Sequence, residues 1–266
     1  HRERGIALSM LTTVAPGDDV EIRRVTVVNE TDRPRRLALT ACAEVILAPG
    51  ADHDRHPAFS RLFVGATHLP ELDALLFTRR PRRPEDRAPV LLHRVVCEDS
   101  ALRSAGFETD RRAFLGRGGD PRSPAALRAD GLSGRTGWEL DAVLARQIEI
   151  SLPAHGACEL AFVSVAAETR AAAEATARRY TTQATLDWAL DAALAQAARD
   201  VHRRGLTPGD LPALQSLLSA ALLPGSGPDA PRGVAQGGPG LADLWALGVS
   251  GDHPILAMRV GAGHET

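Results

Sequence analysis

Residues 36–47 read Arg-Leu-Ala-Leu-Thr-Ala-Cys-Ala-Glu-Val-Ile-Leu. Apolar side chains occupy every second position, which is the period of a β-strand with one buried face. A helix would place its apolar residues three and four apart instead. The stretch therefore predicts a long strand, and its core-facing side chains are Leu37, Leu39, Ala41, Ala43, Val45 and Leu47.

A second alternating stretch precedes it, at residues 19–29. Its alternation changes phase between Ile22 and Val25, which predicts a bulge or a bend. The connecting residues 29–34, Asn-Glu-Thr-Asp-Arg-Pro, bond their own backbone or fix φ and so favour a turn. The two stretches are therefore predicted to pair as a hairpin.

Further strands are predicted where short apolar runs stand between Pro, Gly and Asp clusters. Residues 100–138 are rich in Gly, Arg and Pro and predict long connections. Short strands separated in this way are typical of an antiparallel sandwich rather than of a βαβ sheet. The runs in question are 72–78, 90–97, 143–152 and 157–166.

The period changes to that of a helix after residue 167. Residues 169–180 are rich in Ala, and 183–203 carry apolar residues three and four apart and end before Gly205, a usual helix terminator. Thr207, followed by Pro and then Asp, predicts the start of another helix. The predicted organisation is a sandwich at 1–167, helices at 168–205 and a further helical segment at 206–266.

Composition excludes several classes of function. The sequence contains no lysine, so all of its 31 Lys and Arg residues are Arg. The formal net charge of -2 and the pI near 6.5 give no general attraction to nucleic acid or anionic lipid. The three cysteines have no paired spacing, and no apolar run reaches the roughly 18 residues of a membrane span. No motif predicts a metal or a cofactor.

Five motifs, taken in order, resemble cyclic β-1,2-glucan synthases, in their region similar to glycoside hydrolase family ninety-four. The resemblance runs almost from end to end. The motifs are residues 18–29, 37–49, 56–64, 108–118 and 244–255.

This resemblance implies a fold and a setting. The fold is a β-supersandwich of the galactose-mutarotase type, followed by linker helices and the start of an (α/α)6-barrel-like segment. In the family the barrel carries inverting phosphorolysis, and its general-acid Asp lies beyond residue 266, so no catalytic residue is expected here. The synthases are membrane proteins that polymerise glucose from UDP-glucose. The chain is thus expected at the cytoplasmic side of a bacterial inner membrane, as a soluble part without membrane contact of its own.

One group of residues is a candidate for sugar binding. Saccharides stack on aromatic faces and donate hydroxyl hydrogens to carboxylates, and residues 244–255 offer both on a Gly-containing loop. The alternative is that Trp245 is a core residue and the glycines only shape a turn. Trp138, in a loop, and Trp188, at helix-packing spacing, are weaker candidates. The candidate residues are Trp245, Ser250, Asp252 and His253.

Three functions remain open at this point. The first is a non-catalytic carbohydrate-binding or positioning module of a cyclic β-1,2-glucan synthase. Its partners would be β-1,2-glucan or a glucose oligosaccharide and the other domains of the parent chain. The second is the N-terminal sandwich of an active β-1,2-glucan phosphorylase, and the third is a purely structural scaffold between domains.

Overall fold

A computed structural model describes residues 1–81, 83, 87–98, 102–128, 131–222 and 241–250. The strands are β1 Arg2–Glu3, β2 Ile6–Val14, β3 Val20–Asn29, β4 Arg35–Glu44, β5 Val64–Leu69, β6 Ala74–Arg79, β7 Val90–Val96, β8 Leu102–Asp110, β9 Gly137–Trp138, β10 Ala142–Leu152 and β11 Ala157–Ala167. The α-helices are α1 Gly50–Arg55, α2 Pro57–Arg61, α3 Arg111–Leu115, α4 Arg170–Ala177, α5 Gln183–Arg203, α6 Leu211–Leu222 and α7 Leu241–Ala246. Short 3-10 turns span Pro70–Leu72, Ala125–Arg128 and Pro208–Asp210.

The strands form two antiparallel sheets. The large sheet has eight strands in the order β1-β2-β3-β11-β7-β6-β5-β9, and the small sheet has three in the order β4-β10-β8. Side chains from both sheets mix in shared apolar clusters, so the sheets pack face to face. Helices lie toward the C-terminus, and the predicted fold class, mainly antiparallel β followed by α, is confirmed.

The predicted hairpin between residues 19–29 and 36–47 is wrong. β3 pairs with β2 and β11 in the large sheet, whereas β4 pairs with β10 in the small sheet. The turn between them carries the chain across the sandwich. Both strands have distant partners along their length, and these partners override the local turn signal.

A second crossing, between β10 and β11, lies against the first. The buried side chain of Asn29 joins them, because its Nδ2 donates to the carbonyl oxygens of Arg33 at 2.8 Å and Pro153 at 2.7 Å. The backbone N–H of Asn29 donates to Gly156 O at 2.8 Å, and that of His155 donates to Thr31 O at 3.2 Å. The two crossings therefore form one hydrogen-bonded unit.

The predicted bulge in the first stretch is also wrong. β3 keeps a continuous register with both neighbours. Val20 and Ile22 belong to a cluster with the helices α4 and α5, whereas Val25 and Val27 belong to a cluster shared with the small sheet. The phase change therefore marks the point at which the strand changes the face that it buries.

The helices α4 and α5 cover the other face of the large sheet. Thr169 caps α4 by accepting a hydrogen bond from Ala172 N at 3.2 Å, and Leu186 of α5 is fully buried. Asp18, in the turn between β2 and β3, accepts a hydrogen bond from Tyr180 Oη at 2.8 Å. These contacts confirm the predicted helices at 169–180 and 183–203 and attach them to the sheet.

The four other predicted strands are confirmed as β6, β7, β10 and β11, but residues 100–138 are more than connections. They contain β8, α3 and β9. β8 was missed because its register against β10 shifts between Gly106 and Ser104, which breaks the alternation that marks a strand in sequence.

The chain divides into two compact units within α5, between Gln196 and Ala197. In the second unit Gly205, at φ +67°, ends α5 as predicted, with Leu206 N donating to Val201 O at 3.1 Å. The Asp210 side chain accepts a hydrogen bond from Thr207 N at 2.7 Å, which forms the predicted cap. The division at 167/168 and 205/206 and the barrel-like character of 206–266 stay predictions.

Candidate functional site

The core-facing residues of β4 and its continuation change in size along the chain. Leu37 and Leu39 fill one apolar cluster, and Val45 and Leu47 fill another. Between these pairs stand two alanines, Ala41 and Ala43, and a cavity of about 430 Å³ opens beside them. We call this space between the two sheets the inter-sheet cavity.

A polar row of the large sheet faces the inter-sheet cavity. Glu21 of β3, Ser164 of β11 and His93 of β7 are register partners across three adjacent strands, and all three line the cavity. Apolar neighbours on the same face include Phe162 and Leu91. The large-sheet side of the cavity is therefore polar in its centre and apolar at its edges. We call Glu21, Ser164 and His93 the polar floor of the cavity.

His93 is the most buried polar group of this floor, at 4% exposure. Its Nδ1 lies 3.0 Å from Ser164 Oγ, and its ring stacks on Phe162 with centroids 5.9 Å apart. Nε2 is buried and has no hydrogen-bond partner among the residues that the structure describes. Burial, reinforced by the charges of Arg146 and Arg23, lowers the pKa of His93 to about 3, so the imidazole is neutral at physiological pH.

Glu21 and Arg23 form a two-point ion pair at the cavity wall. Arg23 Nε lies 2.7 Å from one carboxylate oxygen, and Nη2 donates to the other at 3.2 Å. Both side chains are partly exposed, at 33% and 42%. The pair places a hydrogen-bond acceptor and a donor side by side without adding net charge.

A buried arginine lies close to this site. Arg146 of β10 is 1% exposed, and its guanidinium contacts the carboxylate of Asp73 and donates to Asp73 O at 3.2 Å. Partial burial alone would raise the pKa of Asp73, but the hydrogen bond and charge of Arg146, with a smaller effect of His68, lower it. Along β10, Arg146 stands two residues before Ile148 and on the same face of the strand. It therefore places a charged side chain next to the apolar cluster to which Ile148 belongs.

The structure brings two of the sequence-predicted site residues together. Trp245 of α7 is 63% exposed, and its Nε1 donates to Ser250 O at 2.9 Å. Gly248, at φ +75°, ends the helix, with Val249 N bonded to Leu244 O at 2.9 Å. Trp245 is thus an oriented surface side chain rather than a core residue. Asp252 and His253 lie outside the described residues.

Residues 1–183 match the family model described as glycosyl hydrolase 94, supersandwich domain. The chain belongs to this family.

One curated relative of this chain is a much longer protein. The cyclic beta-(1,2)-glucan synthase NdvB of Rhizobium meliloti (strain 1021) is 29% identical over 251 residues. The match covers 93% of this chain but only 9% of the synthase. The sequence resemblance to family ninety-four and to cyclic glucan synthases is thereby confirmed.

Sequence reasoning missed the polar floor of the supersandwich domain. Glu21, His93 and Ser164 stand on three strands far apart in sequence, so no local motif joins them. The one local signal was the pair of small residues at 41 and 43 on an otherwise large apolar face. A strand that faces a second layer with Ala in place of Leu leaves space.

Two other tryptophans behave differently from their predictions. Trp188, placed by its spacing against a helix partner, is 71% exposed, because α5 turns the face of Leu186, Ala189 and Leu190 to the sheet instead. Trp138, predicted in a loop, lies in the short strand β9 and is 63% exposed, with its ring against Gly65 of the neighbouring strand, where a Cβ atom would come within 2.9 Å of it. Both are surface aromatics.

The described residues hold no group of three or more His, Cys, Asp or Glu side chains that could ligate a metal ion. Among the helices that the structure describes, none is long and apolar enough to cross a bilayer.

Proposed function

We propose that this chain is a non-catalytic module of a cyclic β-1,2-glucan synthase and that it binds and positions the glucan. The observation that carries the proposal is the geometry of Trp245. Its ring is mostly exposed, and the bond from Nε1 to Ser250 O fixes its orientation at the end of α7. An aromatic ring held in this way offers an apolar face to a sugar ring at little entropic cost.

The non-catalytic part of the proposal is supported by two carboxylates of the first unit, one that lines the inter-sheet cavity and one that is buried. A glycoside-cleaving site needs a carboxylic acid that can give a proton to the leaving oxygen. Glu21 is ion-paired through both oxygens, and the buried Glu108 accepts hydrogen bonds from the backbone N–H groups of Thr109 and Asp110 at 3.0 and 3.1 Å. Groups engaged in this way serve structure rather than proton transfer.

The relative supports a proposed setting. Because the matched relative is a glucan synthase of which the chain spans 9%, the other domains of a longer parent chain are the proposed partners. We propose that the module lies at the cytoplasmic side of a bacterial inner membrane, beside the domains that polymerise glucose.

The test is a titration of the 266-residue chain with linear β-1,2-glucan, followed by calorimetry and tryptophan fluorescence. We expect saturable binding that Trp245→Ala weakens about tenfold or more, since each tenfold loss corresponds to about 1.4 kcal/mol. Trp188→Ala removes an equally exposed tryptophan elsewhere and should leave the affinity unchanged.

Two results would contradict the proposal in different ways. Absence of heat and of a fluorescence change at millimolar glucan would reject glucan binding and favour the scaffold alternative. Phosphate-dependent release of glucose 1-phosphate by this chain would favour the phosphorylase alternative.

A further inference from the structure

We propose that the inter-sheet cavity is a second binding site, which takes an uncharged saccharide unit of mono- or disaccharide size. All of the residues that line it belong to the first compact unit, whereas Trp245 belongs to the second. That the sugar is glucose or a β-1,2-linked glucose pair rests on the proposed function, whereas the chemical class rests on the cavity itself.

The size of the inter-sheet cavity fits this class of ligand. Small-molecule sites have volumes of about 300–1,000 Å³, and the cavity, at about 430 Å³, lies near the lower limit. Its lining includes the exposed residues Val14 and Cys42, so the space reaches the surface. Leu91 and Phe162 supply apolar margins against which the C–H face of a sugar ring can pack.

The polar groups of the cavity match hydroxyl groups. His93 Nε2 is closed to a ligand, since it has almost no accessible surface, so the polar groups that a sugar can reach are the Ser164 hydroxyl and the partly exposed Glu21–Arg23 pair. A sugar hydroxyl can donate to or accept from Ser164 Oγ, and this changes the hydrogen bond between Ser164 and His93 Nδ1, so the ring nitrogens of His93 report on a bound sugar. The Glu21–Arg23 pair offers an acceptor beside a donor, which is the pattern that neighbouring hydroxyls present.

The charge of the cavity disfavours an anion. Arg23 is compensated by Glu21, Asp19 adds a further carboxylate to the lining, and His93 is neutral. A sugar phosphate would bring its negative charge toward this lining without an uncompensated cation to receive it. The cavity therefore distinguishes a free saccharide from its phosphate.

The test uses sophorose, the β-1,2-linked glucose disaccharide, and glucose as probes. Binding to the whole chain is measured by calorimetry and by the nitrogen-15 resonances of the His93 ring. We expect saturable binding of both sugars with a shift of the Nε2 resonance, and binding of glucose 1-phosphate at least about tenfold weaker.

A matched pair of variants on β4 locates the binding. Ala41→Leu fills the cavity and should abolish the Nε2 shift, whereas Ala38→Leu makes the same change at an exposed position of the same strand and should preserve it. Thermal melting checks that both fold. Should Ala41→Leu fail to fold, Ser164→Ala removes one floor hydroxyl and should weaken sophorose binding severalfold.

The outcomes separate this proposal from the one on Trp245. Unshifted His93 nitrogens with both sugars, equal binding of glucose 1-phosphate, or undiminished binding in Ala41→Leu would each overturn the cavity site. Trp245→Ala should lose affinity for long glucan but keep the Nε2 shift with sophorose. Sophorose binding without any glucan binding would sustain the cavity site and reject the proposed function.

Discussion

The two faces of the large sheet are buried in different ways. The face under α4 and α5 is packed with aliphatic side chains, and Tyr180 is the polar-tipped residue in that cluster. The face toward the small sheet has apolar clusters on both sides of a region with His93, Arg146 and the inter-sheet cavity. Strands of the large sheet contribute to both layers, but helices complete the first layer and the small sheet, which includes Arg146, completes the second.

This difference separates stability from binding. A dry aliphatic layer gains free energy from every buried methylene and has no need of polar partners. Buried polar groups add little net stability and are costly when their partners are removed. The helix-facing layer therefore contributes mainly stability, whereas the sheet-facing layer combines stabilising apolar clusters with buried polar groups.

The largest expected effect concerns Arg146 in the sheet-facing layer. Asp73→Asn leaves the buried guanidinium without its carboxylate and should destabilise the sandwich by about 3 kcal/mol or more. Asn also adopts the left-handed backbone that position 73 requires, at φ +43°, so the change isolates the charge. Urea unfolding followed by circular dichroism measures the free energy.

The matched variant is Arg146→Met, which replaces the buried charge with an apolar side chain of similar length. Asp73 is half exposed and can be solvated, so the loss should stay near about 1 kcal/mol. Equal losses in the two variants would show that packing of Arg146, and not the unpaired charge, governs this layer.

An intermediate effect is expected in the helix-facing layer. Leu186→Ala removes a fully buried side chain and should cost about 2–3 kcal/mol of unfolding free energy. Leu194→Ala, on the same helix at 68% exposure, should change it by less than about 0.5 kcal/mol. Similar losses at both positions would contradict the assignment of this face as the stabilising layer.

The smallest effect concerns Tyr180 at the margin of the helix-facing layer. Burial raises its pKa to about 12, aided by the hydrogen bond to Asp18 and its charge. The folded-state pKa is above the unfolded value near 10, so the contribution is complete below pH 10 and is lost as the pH rises through 12.

Because the chain has a single tyrosine, its phenolate absorbance gives one titration midpoint. We expect a midpoint near 12 in the folded protein, a loss of about 1–2 kcal/mol in Tyr180→Phe at neutral pH, and no such loss once the hydroxyl has ionised. A midpoint near 10 in the folded chain would mean that the Asp18 contact is not formed in solution.

The sequence predicted where strands and helices lie better than it predicted which strands pair. The strands at 143–152 and 157–166 and the helix ending before Gly205 follow from period and cap, which are local. The pairing of β4 with β10 joins residues about a hundred apart, and nothing in residues 29–34 distinguishes a hairpin from a crossing between sheets.

The candidate site residues also differ in how far the sequence could predict them. Trp245 was recognisable because its motif is contiguous, and its bond to Ser250 O lies within five residues. The floor at Glu21, His93 and Ser164 depends on register across three strands, which no single stretch of sequence contains.

The paired crossings around Asn29 have a consequence for synthesis of the chain. β3 pairs with β11 and β4 pairs with β10, and a ribosome makes these partners about a hundred residues later or more. Contacts so distant in sequence form slowly, and strand edges that wait for them are open to pairing with other chains. β3 can pair with β2 as soon as both are made, but its second edge and the whole of β4 stay unpaired until β10 and β11 have been synthesised.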